Sequence, residues 1–167
     1  SKTMLPLSNV PNKTIVLCNE LGTFTTFKSD RYGFNNPDEV WDNKPDNVFL
    51  GDSFTQGSCM INNNGFVSQI RKTAPRTINL GIGSNTPLHN YATMVEYLKD
   101  TAPKKIFWMH CAANDISGLI GYSRFPPIMR YINDAHYTQN LVDRTNEQTS
   151  TMIKVYETAT MAGLTIH

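Results

Sequence analysis

Gly51-Asp52-Ser53 follows the apolar run Val48-Phe49-Leu50, and Gly57 comes four residues after the serine. A strand ending in such a turn hands over to a helix, and open α/β sheets hold their chemistry at the carboxyl ends of their strands. A hydroxyl fixed there among backbone N–H groups is suited to nucleophilic attack on an acyl carbon. The same residues also suit a plain polar turn in which Asp52 or Ser53 caps the helix. Two more polar segments close apolar runs in the same manner. Gly83-Ser84-Asn85 comes after Thr77-Ile78-Asn79-Leu80, and Asn114-Asp115 comes after Lys105-Ile106-Phe107-Trp108-Met109. A turn such as Gly83-Ser84-Asn85 before a helix also resembles an anion or phosphate cradle, although the fuller glycine fingerprints of nucleotide sites are missing.

The elements that must position these residues are readable from apolar periodicity. Residues 47–50, 77–80 and 105–109 read as buried strands, with a short helix over 65–72 between the first two. A longer helix begins near Pro87, which suits a first helical turn, and carries Tyr91, Met94, Val95 and Leu98 at helical spacing. Strand, helix, strand, helix, strand is the order of a parallel sheet with covering helices. Upstream, 14–18 and 24–27 read as a hairpin, and 29–46 as an irregular connection anchored by Phe34 and Trp41. Residues 118–133 are less regular, with Pro126-Pro127 as an interruption. A long helix is expected from about 138, ending near Gly163, and 164–167 reads as the start of a fourth strand. The division is an N-terminal extension over 1–46 and an α/β domain over 47–167.

Composition narrows the functional classes. With 40% apolar and 17% charged residues, the chain is globular rather than disordered. A net charge of +1 without a basic cluster argues against a nucleic-acid partner. No apolar run approaches the ~20 residues of a membrane span, and Ser1-Lys2-Thr3-Met4-Leu5-Pro6 lacks the apolar core of a secretory signal. Cys18, Cys59 and Cys111 are far apart and odd in number, so they read as buried free thiols in a reducing, cytoplasmic setting. No zinc-type cysteine pair occurs, and no metal or cofactor is expected. Asn12-Lys13-Thr14 is formally a glycosylation sequon, of little weight without a secretory context.

Taken together, Gly51-Asp52-Ser53, Gly83-Ser84-Asn85 and Asn114-Asp115 resemble the first three sequence blocks of the SGNH (GDSL-type) hydrolase superfamily. The resemblance is closest to a bacterial branch associated with surface-polysaccharide biosynthesis. That branch has similar stretches at Ser29-Asp30-Arg31-Tyr32-Gly33-Phe34-Asn35-Asn36-Pro37, Asn79-Leu80-Gly81 and Gln139-Asn140-Leu141. It implies a three-layer α/β/α, flavodoxin-like fold with a parallel sheet. It also implies a serine esterase acting on O-acyl groups of carbohydrate. Ser53 would be the nucleophile, and the oxyanion donors would be the Ser53 N–H, an N–H from Gly83 or Ser84, and the Asn114 side chain. Asp52, Asn85 and Asp115 would support them.

The chain departs from the family pattern in three places. Ser84 stands where the second block has glycine, Ala112 where the third block has glycine, and no Asp-x-x-His supplies a general base. The expectation is a fragment cut before that block, with an exposed sheet edge prone to self-association. Among the histidines, His89 and His110 read as packing or supporting residues, His136 as solvated, and His167 as lacking defined neighbours. None has an orienting carboxylate at an arguable spacing, so the base stays unassigned. The alternative function is a non-catalytic carbohydrate-binding or scaffold protein with a degenerate site.

Overall fold

The computed structural model describes residues 4–20, 22–61, 64–112 and 115–161. Thr14–Val16 (β1) and Thr26–Lys28 (β2) form the expected antiparallel hairpin, with Ile15 opposite Phe27. A 3₁₀ turn over Asp38–Asp42 then leads to the central strand, Asn47–Leu50 (β3). The order continues with α1 (Ser53–Gln56), α2 (Phe66–Arg71), β4 (Thr77–Asn79), α3 (Pro87–Tyr97) and β5 (Lys105–Trp108). It ends with α4 (Asp115–Tyr122), α5 (Pro126–Asn133) and α6 (Thr145–Met161). The protein is therefore mixed α/β, with a three-stranded parallel sheet in the order β4-β3-β5.

Alternation along the strands separates the two faces of the sheet. Val48, Leu50, Ile78 and Leu80 share one buried cluster with Leu88, Ala92 and Tyr97 of α3. On the opposite face Phe49 stacks on Phe107 at 4.6 Å and meets Phe66 of α2 edge-on at 5.6 Å. The N-terminal segment belongs to the same core, because Met4, Leu7, Phe34 and Val40 lie in the first cluster. Helix α3 is covered on more than one side. Its Asn90, Thr93 and Glu96 are as buried as its apolar residues, since α4 and α5 also pack on it.

Three sequence expectations differ from the structure. Residues 118–133 are largely helical: Pro126 and Pro127 stand at the start of α5, where a missing N–H costs nothing, rather than breaking it. The long helix begins at Thr145, not near 138, because Glu96 takes the backbone N–H groups of Gln139 and Leu141 and Asn140 is left-handed at φ 54°. Cys18 and Cys59 are not free thiols but a disulfide, which corrects the reading of the cysteines. Distance along the sequence hid their proximity. The hairpin folds back so that their Cα atoms are 5.3 Å apart, within bridging range. Cys111 is a free thiol as expected, but half-buried rather than buried. The expected strand over 164–167 lies outside the described residues.

Strand β5 pairs only with β3 among the described residues, and Ile106, Phe107 and Met109 are substantially exposed there. No described helix is long and apolar enough to cross a membrane.

Candidate active site

Ser53 begins α1 at the carboxyl end of the central strand. Asp52 precedes it in extended conformation and caps the helix, its Oδ1 accepting the Phe54 N–H at 3.0 Å. The turn is tight on both sides. A Cβ on Gly51 would lie 2.1 Å from Thr55 Oγ1, and one on Gly81 would lie 2.4 Å from the Gln56 backbone N. Both positions therefore need glycine for close approach. The Ser53 side chain is half-buried, and its hydroxyl makes no hydrogen bond to a described residue.

A buried polar scaffold holds this turn against the sheet. Asn79 Nδ2 donates to Thr55 O at 2.7 Å, while its Oδ1 accepts the Gly81 N–H at 2.9 Å. Asn35 Nδ2 donates to Gln56 O at 2.8 Å. Asn36 brackets the Asn79 backbone, donating to its carbonyl at 2.9 Å and accepting its N–H at 2.8 Å. Behind Asn36 stands the buried carboxyl of Asp30, which accepts from the N–H groups of Tyr32 and Phe34, Asn36 Nδ2 and Trp41 Nε1. Burial pushes the Asp30 carboxyl above its ordinary value, against the pull of these hydrogen bonds. Sequence reading treated 29–46 as a connection. The density of Asn and Asp around Tyr32, Phe34 and Trp41 was the available sign of this scaffold.

Gly83 borders Ser53 directly, since a Cβ there would lie 3.9 Å from the serine Cβ. Its N–H, however, is donated to Gln56 Oε1 at 2.9 Å. The Ser53 and Ser84 N–H groups make no hydrogen bond to a described residue, so of the two turn residues it is Ser84 whose N–H has no acceptor among the described residues. Ser84 pays for its place with a left-handed backbone, φ 66°. Asn85 closes the turn, its N–H donating to Ile82 O at 3.1 Å, and its buried side chain faces Asn90. Because left-handed backbone costs a non-glycine residue about 1 kcal/mol or more, Ser84→Gly is expected to raise the denaturant midpoint by that order. An unchanged or lower midpoint would contradict this.

Asn114, the expected third donor, lies outside the described residues. Asp115 is buried at the start of α4, and its Oδ2 accepts the Cys111 N–H at 2.8 Å. The same oxygen lies 3.3 Å from His110 Nδ1, so His110 does have a carboxylate partner. Their five-residue spacing across the end of β5 gave no periodic signal of this contact. Ala112 is exposed between them. His89 is a packing residue: its Nδ1 lies 2.9 Å from Thr86 Oγ1, Tyr122 covers its ring, and burial lowers its pKa. His136 is exposed. His167 is outside the described residues.

No protein-family model, curated protein or solved structure matches this chain. The functional argument therefore rests on the site itself. At the end of the central strand stands a serine hydroxyl, flanked by two N–H groups; none of the three has a hydrogen-bond partner among the described residues, and amide side chains brace the turn. That arrangement can attack an acyl carbonyl and hold the oxyanion that results.

Proposed function

We propose that this protein is a serine esterase of the SGNH type that hydrolyses O-acyl esters, with acylated carbohydrate as its substrate class. The observation that carries the proposal is Ser53, placed on a capped turn with its hydroxyl free toward any described residue and its own N–H available. The N–H groups of Ser53 and Ser84 would hold the oxyanion, with the Asn114 side chain as the third donor. Each such donor is worth roughly 2.7–4 kcal/mol of transition-state stabilisation. The strand order supports a flavodoxin-like, three-layer α/β/α arrangement, because β4-β3-β5 is the order 2-1-3 counted from the first parallel strand. The carbohydrate part of the proposal rests on the sequence resemblance alone.

The Cys18–Cys59 disulfide favours an oxidising compartment over the cytoplasm. The edge of β5 that is unpaired among the described residues, with its exposed apolar side chains, favours pairing with a second chain at high concentration.

One observation favours the second reading, a carbohydrate-binding protein. A cavity of about 210 Å³ lies beside the α3 C-terminus, lined by Tyr32, Trp41, Lys99, Asp100, Asn140 and Asp143 among others. Aromatic rings beside polar side chains suit a sugar, whose ring has both apolar faces and hydroxyl edges.

The deciding experiment compares wild type with Ser53→Ala on p-nitrophenyl acetate. The esterase reading expects the variant to fall to the uncatalysed background. Equal rates would remove Ser53 from any nucleophilic role and leave the binding reading.

A further inference from the structure

We infer that Gln56 is a positioning residue of the site, whose side-chain oxygen fixes the Gly83-Ser84 turn against the helix carrying Ser53; this rests on the esterase reading of Ser53. Gln56 ends α1 and is buried, with 3% of its surface exposed. Both of its backbone polar groups are held. The N–H donates to Asp52 O at 2.9 Å, and the carbonyl accepts Asn35 Nδ2 at 2.8 Å. From this fixed base its Oε1 accepts the Gly83 N–H at 2.9 Å and the Ser58 hydroxyl at 3.1 Å.

The Ser58 hydroxyl arrives because the chain reverses after α1. Gly57 is left-handed at φ 83°, and the N–H groups of Gly57 and Ser58 both donate to Ser53 O, at 3.1 Å and 3.0 Å. Ser58 is thereby drawn back beside Gln56. On the other side lies the turn. A Cβ built on Gly83 would lie 3.3 Å from Gln56 Oε1 and 3.9 Å from Ser53 Cβ, so both residues border the same glycine. The Ile82 N–H also donates to Gly51 O at 3.3 Å, and the bond from Gly83 to Gln56 is the shorter of these two ties. Ser84 comes next in the chain, so the tie at Gly83 limits where the Ser84 N–H can point.

The chemistry accounts for the residue type. The position needs an acceptor that reaches the turn from α1 and stays neutral, because negative charge develops on the acyl oxygen nearby. An apolar side chain would leave the Gly83 N–H without this partner. A carboxylate would accept both bonds but would oppose the developing charge. An amide oxygen meets both conditions.

The test measures p-nitrophenyl acetate hydrolysis by wild type, Gln56→Ala, Gln56→Glu and Ser53→Ala, with urea unfolding to establish that each is folded in the assay. Gln56→Ala is expected to lower kcat roughly 10- to 100-fold, the order of effect that a small misplacement at a reacting centre produces, with KM nearly unchanged. Gln56→Glu keeps an acceptor for Gly83 and Ser58, so it is expected to fold as wild type does. The ratio of its kcat to the wild-type kcat should approach one at low pH, where the new carboxyl is neutral. That ratio should fall at higher pH, as the carboxyl ionises and opposes the oxyanion. A residue that only packs would give no such pH dependence. Ser53-dependent hydrolysis at the wild-type kcat in Gln56→Ala would overturn the assignment and leave the nucleophile standing. A Gln56→Glu ratio that stays constant with pH would do the same. Wild type no faster than Ser53→Ala would overturn the esterase reading and the assignment with it.

Discussion

Reduction of the Cys18–Cys59 bridge is expected to remove about 4 kcal/mol of folding stability. The bridge closes a loop with a sequence separation of 41, and the chain-entropy cost avoided in the unfolded state grows with the logarithm of that length. Domains are stable by only about 5–15 kcal/mol, so the loss is a large share of the total. The bridge also ties the hairpin to the loop after α1. Cys18 follows β1, whereas Cys59 sits in the loop after α1, six residues beyond Ser53. Denaturant unfolding with and without dithiothreitol, and of Cys18→Ser, measures the effect. The reduced and substituted proteins should share a lower midpoint, and identical midpoints in all forms would contradict the expectation. The residues around Cys59 should also become protease-sensitive before the sheet does, because 57–59 form turns rather than helix or strand.

The strands and α3 were legible because apolar runs bounded by turn residues have few alternative readings. Residues 47–50, 77–79 and 105–108 pair as their pattern predicts, and Ser53 and the Gly83-Ser84 turn lie side by side at one end of the sheet. What escaped the sequence depends on distance through space. The cysteine pairing needed the hairpin to be placed against the α1–α2 loop. The full extent of burial on α3 was not legible from its apolar positions because Glu96, a charged residue by type, points into the protein and organises 138–141. Periodicity counts such a residue as surface, and only its partners reveal why it is buried. The His110–Asp115 contact was hidden for a related reason, since the chain turns between the two residues. Ser84 shows the opposite situation. Its departure from glycine was visible in sequence, and the left-handed backbone explains why glycine is the better fit there.

Glu96→Ala is expected to cost about 4 kcal/mol or more, because several buried donors lose their acceptor together and each unsatisfied group costs about 1–3 kcal/mol. The Glu96 carboxylate accepts from Tyr131 Oη at 2.7 Å, Thr138 Oγ1 at 3.0 Å, and the backbone N–H groups of Gln139 and Leu141. It thereby joins α3, α5 and the turn that delays α6. Burial, reinforced by the bond to Glu96, raises the Tyr131 pKa, so its hydroxyl stays a donor. Glu96→Gln should cost less than Ala, since one carbonyl oxygen remains to accept while the new NH₂ group faces donors it cannot satisfy. Urea unfolding should therefore rank wild type above Gln and Gln above Ala. An alanine variant as stable as wild type would contradict the argument. Glu96 lies near the C-terminal end of α3, whereas the Ser84 turn precedes its N-terminus. The Gln variant should accordingly lose stability while its p-nitrophenyl acetate hydrolysis, measured where it is folded, stays at the wild-type rate. That separation follows because the donors at Glu96 brace the helix, and the groups around Ser53 are braced independently by Asn35, Asn36 and Asn79.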